Sequence, residues 1–216
     1  MKTTKSAAIV ICLFLLSLPG QAMPILYSGT GNYYEMIVDD GISWAEADAA
    51  AVGSTFMGLL GHLATILSAG EDLFINQLVA NTAGVASGSV ANSEAWVGGF
   101  QDGGYVEPTG GWTWVNGEGA IPGVNSGSGY ANWLSGEPND YYGAGSENWL
   151  AVNLRGAFGW NDEGNLGGIA GYVVEYDGAA RLLGEVGAIA LREPGTLMLL
   201  AIGFAVIALL RRRKSA

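Results

Sequence analysis

Glu137-Pro138-Asn139-Asp140, Glu147-Asn148-Trp149 and Trp160-Asn161-Asp162 follow one another within residues 137–162. The side chains of Glu137, Asn139, Glu147, Asn161 and Asp162 all end in oxygen, and three of them are anionic. A hard cation such as calcium takes about six to eight oxygen ligands at about 2.3 to 2.6 Å, and carboxylates and amides supply them. No His or Cys stands among these residues, which argues against zinc. The pattern therefore predicts a calcium site. Glu137-Pro138 is an X-Pro bond, which can be cis and so turn the flanking side chains to one side.

These three motifs resemble, in order and approximate spacing, the sugar-binding calcium site of the C-type lectin-like domain. The resemblance implies an α+β fold with two helices flanking small antiparallel sheets and a long calcium-binding loop region. It also implies that Glu137, Asn139, Glu147 and Asn161 both ligate calcium and hydrogen-bond two neighbouring hydroxyls of a sugar, with Asp162 mainly holding metal. In the family, Glu-Pro-Asn goes with mannose-type sugars and Gln-Pro-Asp with galactose-type ones. A second calcium would draw on Asp102, Glu107, Asp140 and Asn148, with a share of Glu147. Animal members are stapled by disulfides, whereas Trp149 stands where the resemblance places one of those cysteines. This points to a bacterial-type member whose loop relies on calcium and aromatic packing.

Length and composition suit one domain. The chain has 216 residues and a net charge of −11, and its only cysteine is Cys12. Residues 23–191 hold 19 of the 20 acids against two cations, Arg155 and Arg181. Such a surface repels nucleic acid and attracts divalent cations, so no nucleic-acid partner is expected.

Along the chain, residues 27–38 alternate aromatic and polar residues as a first strand would. Ser43-Trp44-Ala45-Glu46 is a capping box opening an Ala-rich helix that ends near Gly53. Ser68-Ala69-Gly70-Glu71 opens a second helix, carrying Leu73, Phe74, Leu78 and Val79 at helical spacing. Between them, Gly61-His62-Leu63-Ala64-Thr65-Ile66 resembles the family's Gly-His-Leu-Ala strand, which makes His62 structural. Residues 81–93 are polar and Gly-rich, as a loop would be. Trp96-Val97-Gly98-Gly99 resembles the family's core strand, with Trp and Val inward and the glycines turning the chain. Residues 112–115, 149–154 and 171–176 alternate as further strands, and residues 130–133 resemble the segment leading into the calcium loop. Tyr141 and Tyr142 beside the site are candidates to stack on a sugar face.

The termini read as addresses. Lys2 and Lys5, the apolar run 7–18 and Gly20-Gln21-Ala22 make residues 1–22 a secretory signal peptide. The lectin-like domain is expected over residues 23–177 and a linker over 178–192. In residues 193–216, Glu193-Pro194-Gly195, the apolar run 196–210 and the basic cluster 211–214 resemble the PEP-CTERM sorting signal. The resemblance implies an exosortase-type processing enzyme as partner and a transmembrane helix in the inner membrane. Fifteen apolar residues give roughly 22 Å of helix against a bilayer core of about 30 Å.

Taken together, the expectation is an exported, non-enzymatic, calcium-dependent carbohydrate-binding protein at the cell surface or in the extracellular matrix. The rival is a structural or protein-binding domain in which calcium only stabilises the loop. Glu and Asp pairs can hydrolyse glycosides, but here the acids are accounted for by metal.

Overall fold

The computed structural model describes residues 23–178, apart from 89–90, 124–128 and 165–166. The expected leader and most of the expected linker, with the whole sorting tail and its apolar run, lie outside the described residues. No helix among the described residues is long and apolar enough to cross a membrane.

The stretch read as one strand is two. Strands β1 (Ile25–Tyr27) and β2 (Asn32–Val38) pair antiparallel with Tyr27 opposite Asn32. The turn between them is closed by the Gly31 N–H donating to the Tyr27 carbonyl at 2.9 Å. Gly31 sits at φ +83°, where a side chain is strained, and this glycine breaks the alternation.

Helix α1 (Trp44–Val52) has both halves of its capping box: Ser43 Oγ accepts the Glu46 N–H, and Glu46 accepts the Ser43 N–H at 3.2 Å. Its buried residues Trp44, Ala47 and Ala51 recur at helical spacing and face the sheet. Helix α2 (Ala69–Asn81) keeps only half a box. Ser68 Oγ accepts the Glu71 N–H, but the Glu71 carboxylate accepts from the Leu67 N–H at 2.7 Å and the Tyr34 hydroxyl at 2.5 Å. Its apolar stripe is also rotated from the expected one, with Ile75 and Val79 buried, Phe74 and Leu78 packed at the margin, and Leu73 in solvent.

Strands β3 (Thr55–Phe56), β4 (Leu59–Leu63), β5 (Glu94–Gln101), β6 (Trp112–Trp114), β7 (Trp149–Val152), β8 (Trp160–Glu163) and β9 (Ile169–Tyr176) complete the sheet. Its main path runs β1-β2-β9-β5-β7-β8, with β4 also on β9 and β6 also on β5. All pairings are antiparallel except β5 with β9. Side chains alternate across a strand, so Trp96 packs on the α1 side and Val97 on the α2 side. The glycines after them do not turn the chain. Gly98 and Gly99 lie within β5 and are glycine because a Cβ would come 2.8 Å from the Leu63 carbonyl oxygen and 2.7 Å from Leu150 Cβ, respectively.

An aromatic cluster ties the long loop region to this frame. Trp160 packs edge-to-face with Trp114, Tyr130 and Trp133, at ring separations of 5.7 to 5.8 Å, and Trp133 with Trp112 at 4.9 Å. Asp72, on α2, is its polar hub: its carboxylate accepts from Trp160 Nε1 at 2.7 Å, Asn132 Nδ2 at 2.6 Å and the Tyr130 hydroxyl at 3.0 Å. Segment 132–134 then runs beside β8, with the Trp160 N–H donating to the Asn132 carbonyl and the Leu134 N–H to the Trp160 carbonyl. That places residues 137–140 against the β8 residues 161–163.

Candidate functional site

The Glu137-Pro138 bond is cis. Just beyond it, the backbone N–H groups of Asn139 and Asp140 donate to the buried Asp162 carboxylate at 2.8 to 2.9 Å. The Asp162 carboxylate also meets the Glu137 side chain, which joins the loop backbone to the acids around it. Glu147 is buried and its Oε2 accepts the Tyr141 N–H at 2.5 Å. Glu137 is half-buried, with Oε2 shielded from solvent and without a hydrogen-bond partner. Asn139 is exposed. Asn161 is buried on the opposite side of β8 from Trp160 and Asp162, and its amide donates to Glu94 Oε1 at 3.1 Å.

Two acids that the motifs do not include complete the cluster. Glu94, at the start of β5, is fully buried, and Glu163, at the end of β8, is nearly so; Oε2 of each lacks a hydrogen-bond partner. The Asn161 amide lies between them, 3.5 Å from Glu163 Oε1. Burial pushes Glu94 up to about 7, and Glu163, with the charges of Glu94 and Glu147 added, up to about 8. Glu137 is pushed up to about 7 by burial and then by Asp162, and burial likewise raises Glu147 and Asp162. Burial raises all five carboxyls, and neighbouring acids add to it for Glu94, Glu137, Glu147 and Glu163, with no cationic side chain among their partners in the described residues; the one ion pair there is His62 with Asp177.

The donor set fits calcium. Its members are hard oxygens, several keep an unused acceptor position, and like charges gathered without a counter-ion favour a divalent cation. The Glu137, Glu147 and Asp162 oxygens do not all lie within 4.8 Å of one another. Their shared element is the Asp162 latch on the loop backbone.

Of the four residues read as a second set, Asp140, Asn148 and Glu107 gather around Gly145. Asp140 is buried and bends back on its own loop, accepting the N–H groups of Gly145 at 3.0 Å and Glu147 at 3.1 Å. The Asn148 amide donates to the Gly145 carbonyl at 2.9 Å. Asp102 is exposed, while Glu107 keeps a buried, unpartnered Oε2 and lies near Gly145. Tyr141 and Tyr142 stand in solvent at the rim of the loop, edge-to-face at 5.0 Å. His62 sits on β4, where burial opposes its charge but Asp177, the Leu63 carbonyl and Glu175 outweigh it, so that it is pushed up to about 9.

Sequence signals for the missed residues differ. Glu163 follows Asn161 by two on one strand and so shares its face, a placement that Trp160-Asn161-Asp162-Glu163 read as a strand would have given. Glu94 comes from a strand two places away in the sheet and has no local signal. Asp72 looks like an ordinary first-turn acid of a helix until Trp160 is folded onto it.

Comparison with known proteins agrees with this architecture. Residues 193–214 match the PEP-CTERM protein-sorting motif. Halomucin of Haloquadratum walsbyi is 33% identical over 153 residues, which are 68% of this chain and 1% of that protein. The chain therefore spans a very small part of the curated relative it matches. Among solved structures, the C-type lectin CEL-I from Cucumaria echinata superposes with a TM-score of 0.51 at 18% identity, over 67% of this chain and 89% of that one. CEL-IV superposes with a TM-score of 0.50 at 20% identity, over 74% and 93%. The chain has a C-type lectin-like fold of the α+β class, with two helices flanking a mostly antiparallel sheet, and a C-terminal PEP-CTERM motif.

Proposed function

We propose that this protein is an exported bacterial lectin that binds carbohydrate through calcium held by Glu137, Asn139, Glu147, Asn161 and Asp162. The observation that carries this reading is the Asp162 latch, which draws the backbone of Asn139 and Asp140 onto β8 and leaves Glu137 and Asn139 at the open edge of an acid cluster. Calcium would supply coordination positions for two vicinal hydroxyls. The chain's own residues then read the diol: the Glu137 and Glu147 carboxylates accept hydrogen bonds from hydroxyls, the exposed Asn139 amide donates to a hydroxyl oxygen, and Asn161, whose amide N–H groups face Glu94 and Glu163, would offer its carbonyl oxygen. The Glu137-then-Asn139 order suits mannose-type diols by the resemblance. Glu94 and Glu163 back the site by holding the Asn161 amide.

Export by a leader over residues 1–22, a lectin domain over 23–177, a linker over 178–192, and inner-membrane retention by the apolar run in 193–216 before exosortase-type processing complete the reading. The end point is the cell surface or the extracellular matrix. In this reading the protein itself catalyses no reaction.

One observation favours a second reading. Asp162 and Asp140 spend their carboxylates on loop backbone N–H groups, which is what a cation-stabilised scaffold for protein contacts requires. A glycan array probed with the protein in calcium and in chelator separates the two. Calcium-dependent signal on mannose-type glycans is expected, and a blank array from a folded, calcium-loaded protein would hand the domain to the scaffold reading.

A further inference from the structure

Away from the loop, β4 and β9 bring together a different kind of ligand set. His62 lies directly across from Glu175 in the antiparallel register, and Asp177 follows Glu175 by two just past the strand end. One ligand atom from each of the three lies within 4.8 Å of the others. Ile169, at the other end of β9, pairs with Glu94 of the loop cluster, and six residues of strand put Glu175 about 20 Å further along. The two sites are separate.

We propose that His62, Glu175 and Asp177 form a second metal site, one for zinc or a transition-metal ion of like preference rather than calcium. An imidazole with two carboxylates suits zinc-type ions, whereas calcium takes oxygen alone. The histidine is prepared for it. Its Nδ1 is 2.8 Å from the Leu63 carbonyl, which can only accept, so Nδ1 keeps a proton in either charge state, and Nε2 is the nitrogen that would give up its proton to an entering metal and turn a lone pair to the carboxylates' side. A metal-binding histidine is oriented by this kind of backbone contact. Nε2 is buried and makes no hydrogen bond.

Its separation from Asp177 Oδ2 is 3.4 Å, longer than the about 2.7 to 2.9 Å of a charge-assisted hydrogen bond. Two ligands each about 2.1 Å from one tetrahedral metal stand about 3.4 Å apart. Glu175 is buried and fixed by the Thr65 N–H at 2.9 Å and Asn32 Nδ2 at 2.7 Å, while the single hydroxyl proton of Tyr34, 2.9 Å away, goes to the nearer Glu71. The single hydroxyl proton of Thr65 has Glu118 at 2.6 Å and Glu175 Oε2 at 3.1 Å; given to the nearer acceptor, it leaves Oε2 a lone pair. The Asp177 side chain is half-exposed, which gives an ion its way in and a water its place as fourth ligand.

The competing occupant is a proton, with His62 the cationic half of an ion pair. The test uses the full chain in detergent with excess calcium, titrated with zinc by calorimetry and with cobalt by visible absorption. The expected result is one zinc equivalent per chain, at least tenfold weaker in His62→Gln and in Asp177→Asn, and unchanged in Glu137→Gln. The absorption bands of four-coordinate cobalt should appear in the wild type and be lost in Asp177→Asn, whose exposed position leaves folding intact by circular dichroism. No zinc uptake, or uptake equal in the wild type and both variants, overturns the site in favour of the ion pair.

Discussion

Between the two helices the sheet is packed by apolar side chains, whereas the loop segments 102–111 and 134–148 hang from it on side-chain-to-backbone hydrogen bonds. On the sheet, Val97, Leu150, Val152 and Val173 meet Ile75 and Val79 of α2, and Trp96, Ala151 and Val174 meet Trp44 and Ala51 of α1. In the loops, Gln101 Nε2 donates to the Gly110 carbonyl at 2.7 Å, Trp112 Nε1 to the Pro108 carbonyl at 3.0 Å, and the acids 140, 147 and 162 accept loop N–H groups. Apolar burial scales with area and is indifferent to charge. A carboxylate that holds a loop does so only while its environment tolerates the charge. The difference predicts one region indifferent to pH and calcium and one governed by both.

Asp72 joins the two regions, so its loss should be the largest single effect. In Asp72→Ala, the Trp160 indole, the Asn132 amide and the Tyr130 hydroxyl lose their shared acceptor, at about 1 to 3 kcal/mol for each buried donor left unpaired. A destabilisation of about 4 kcal/mol or more is expected in urea unfolding. Leu73→Ala beside it, in solvent, should stay within about 0.5 kcal/mol. Equal effects from the two would dissolve the comparison.

Next comes the purely apolar region. Ile75 is fully buried in the α2-side core, and Ile75→Ala should cost about 3 kcal/mol through lost transfer energy and the cavity left behind. The informative part is that this cost should be the same in calcium and in chelator. A cost that changes with calcium would mean that sheet and loop do not behave as distinct regions.

These contrasts also explain what the sequence could show. The capping box at Ser43, the inward Trp96 and Val97, and the oxygen-bearing residues of 137–162 were legible because each signal is local or periodic. The β1–β2 turn leaves a local mark too, in Gly29 and Gly31 between the aromatic residues. The half-box at Ser68 was not, because what draws the Glu71 side chain away is Tyr34, more than thirty residues earlier in the chain. Glu94 belongs to the acid cluster only because β5, β7 and β8 stack in that order. Long-range pairing of this kind leaves no trace in spacing.

The pH dependence follows from the raised carboxyls. Burial holds Glu94 and Glu137 at about 7 and Glu163 at about 8 in the folded chain, above the 4.5 of an ordinary glutamate. The folded state therefore binds more protons than the unfolded one between pH 4.5 and 8, and without metal its stability must fall as pH rises through that window. A loss large enough to lower the melting temperature measurably across it is expected in chelator. Saturating calcium favours the ionised cluster and should flatten or reverse the slope. Melting curves at several pH values, with calcium and with chelator, read this directly; a stability that climbs with pH in chelator would contradict the raised carboxyls.

The smallest expected effect on stability carries the most about recognition. Exchanging Glu137 for Gln and Asn139 for Asp keeps two oxygen ligands and one negative charge across the pair, so the loop should stay latched by Asp162, which bonds to the backbone of 139 rather than to its side chain. Calcium-loaded stability should change by less than about 1 kcal/mol. What reverses is the order of donor and acceptor facing the two hydroxyls. A diol matched to the original order would leave polar groups unsatisfied in the new one, at about 1 to 3 kcal/mol each. Mannose-type ligands should then be lost by at least tenfold, and galactose-type ligands gained, in the Gln-Pro-Asp order that the resemblance associates with them. Binding measured by calorimetry on both sugars, beside melting curves in calcium, separates the roles. If the double exchange leaves ligand binding untouched, Glu137 and Asn139 hold the loop and do not read sugar, and the polar region is a scaffold like the apolar one, only stabilised by charge.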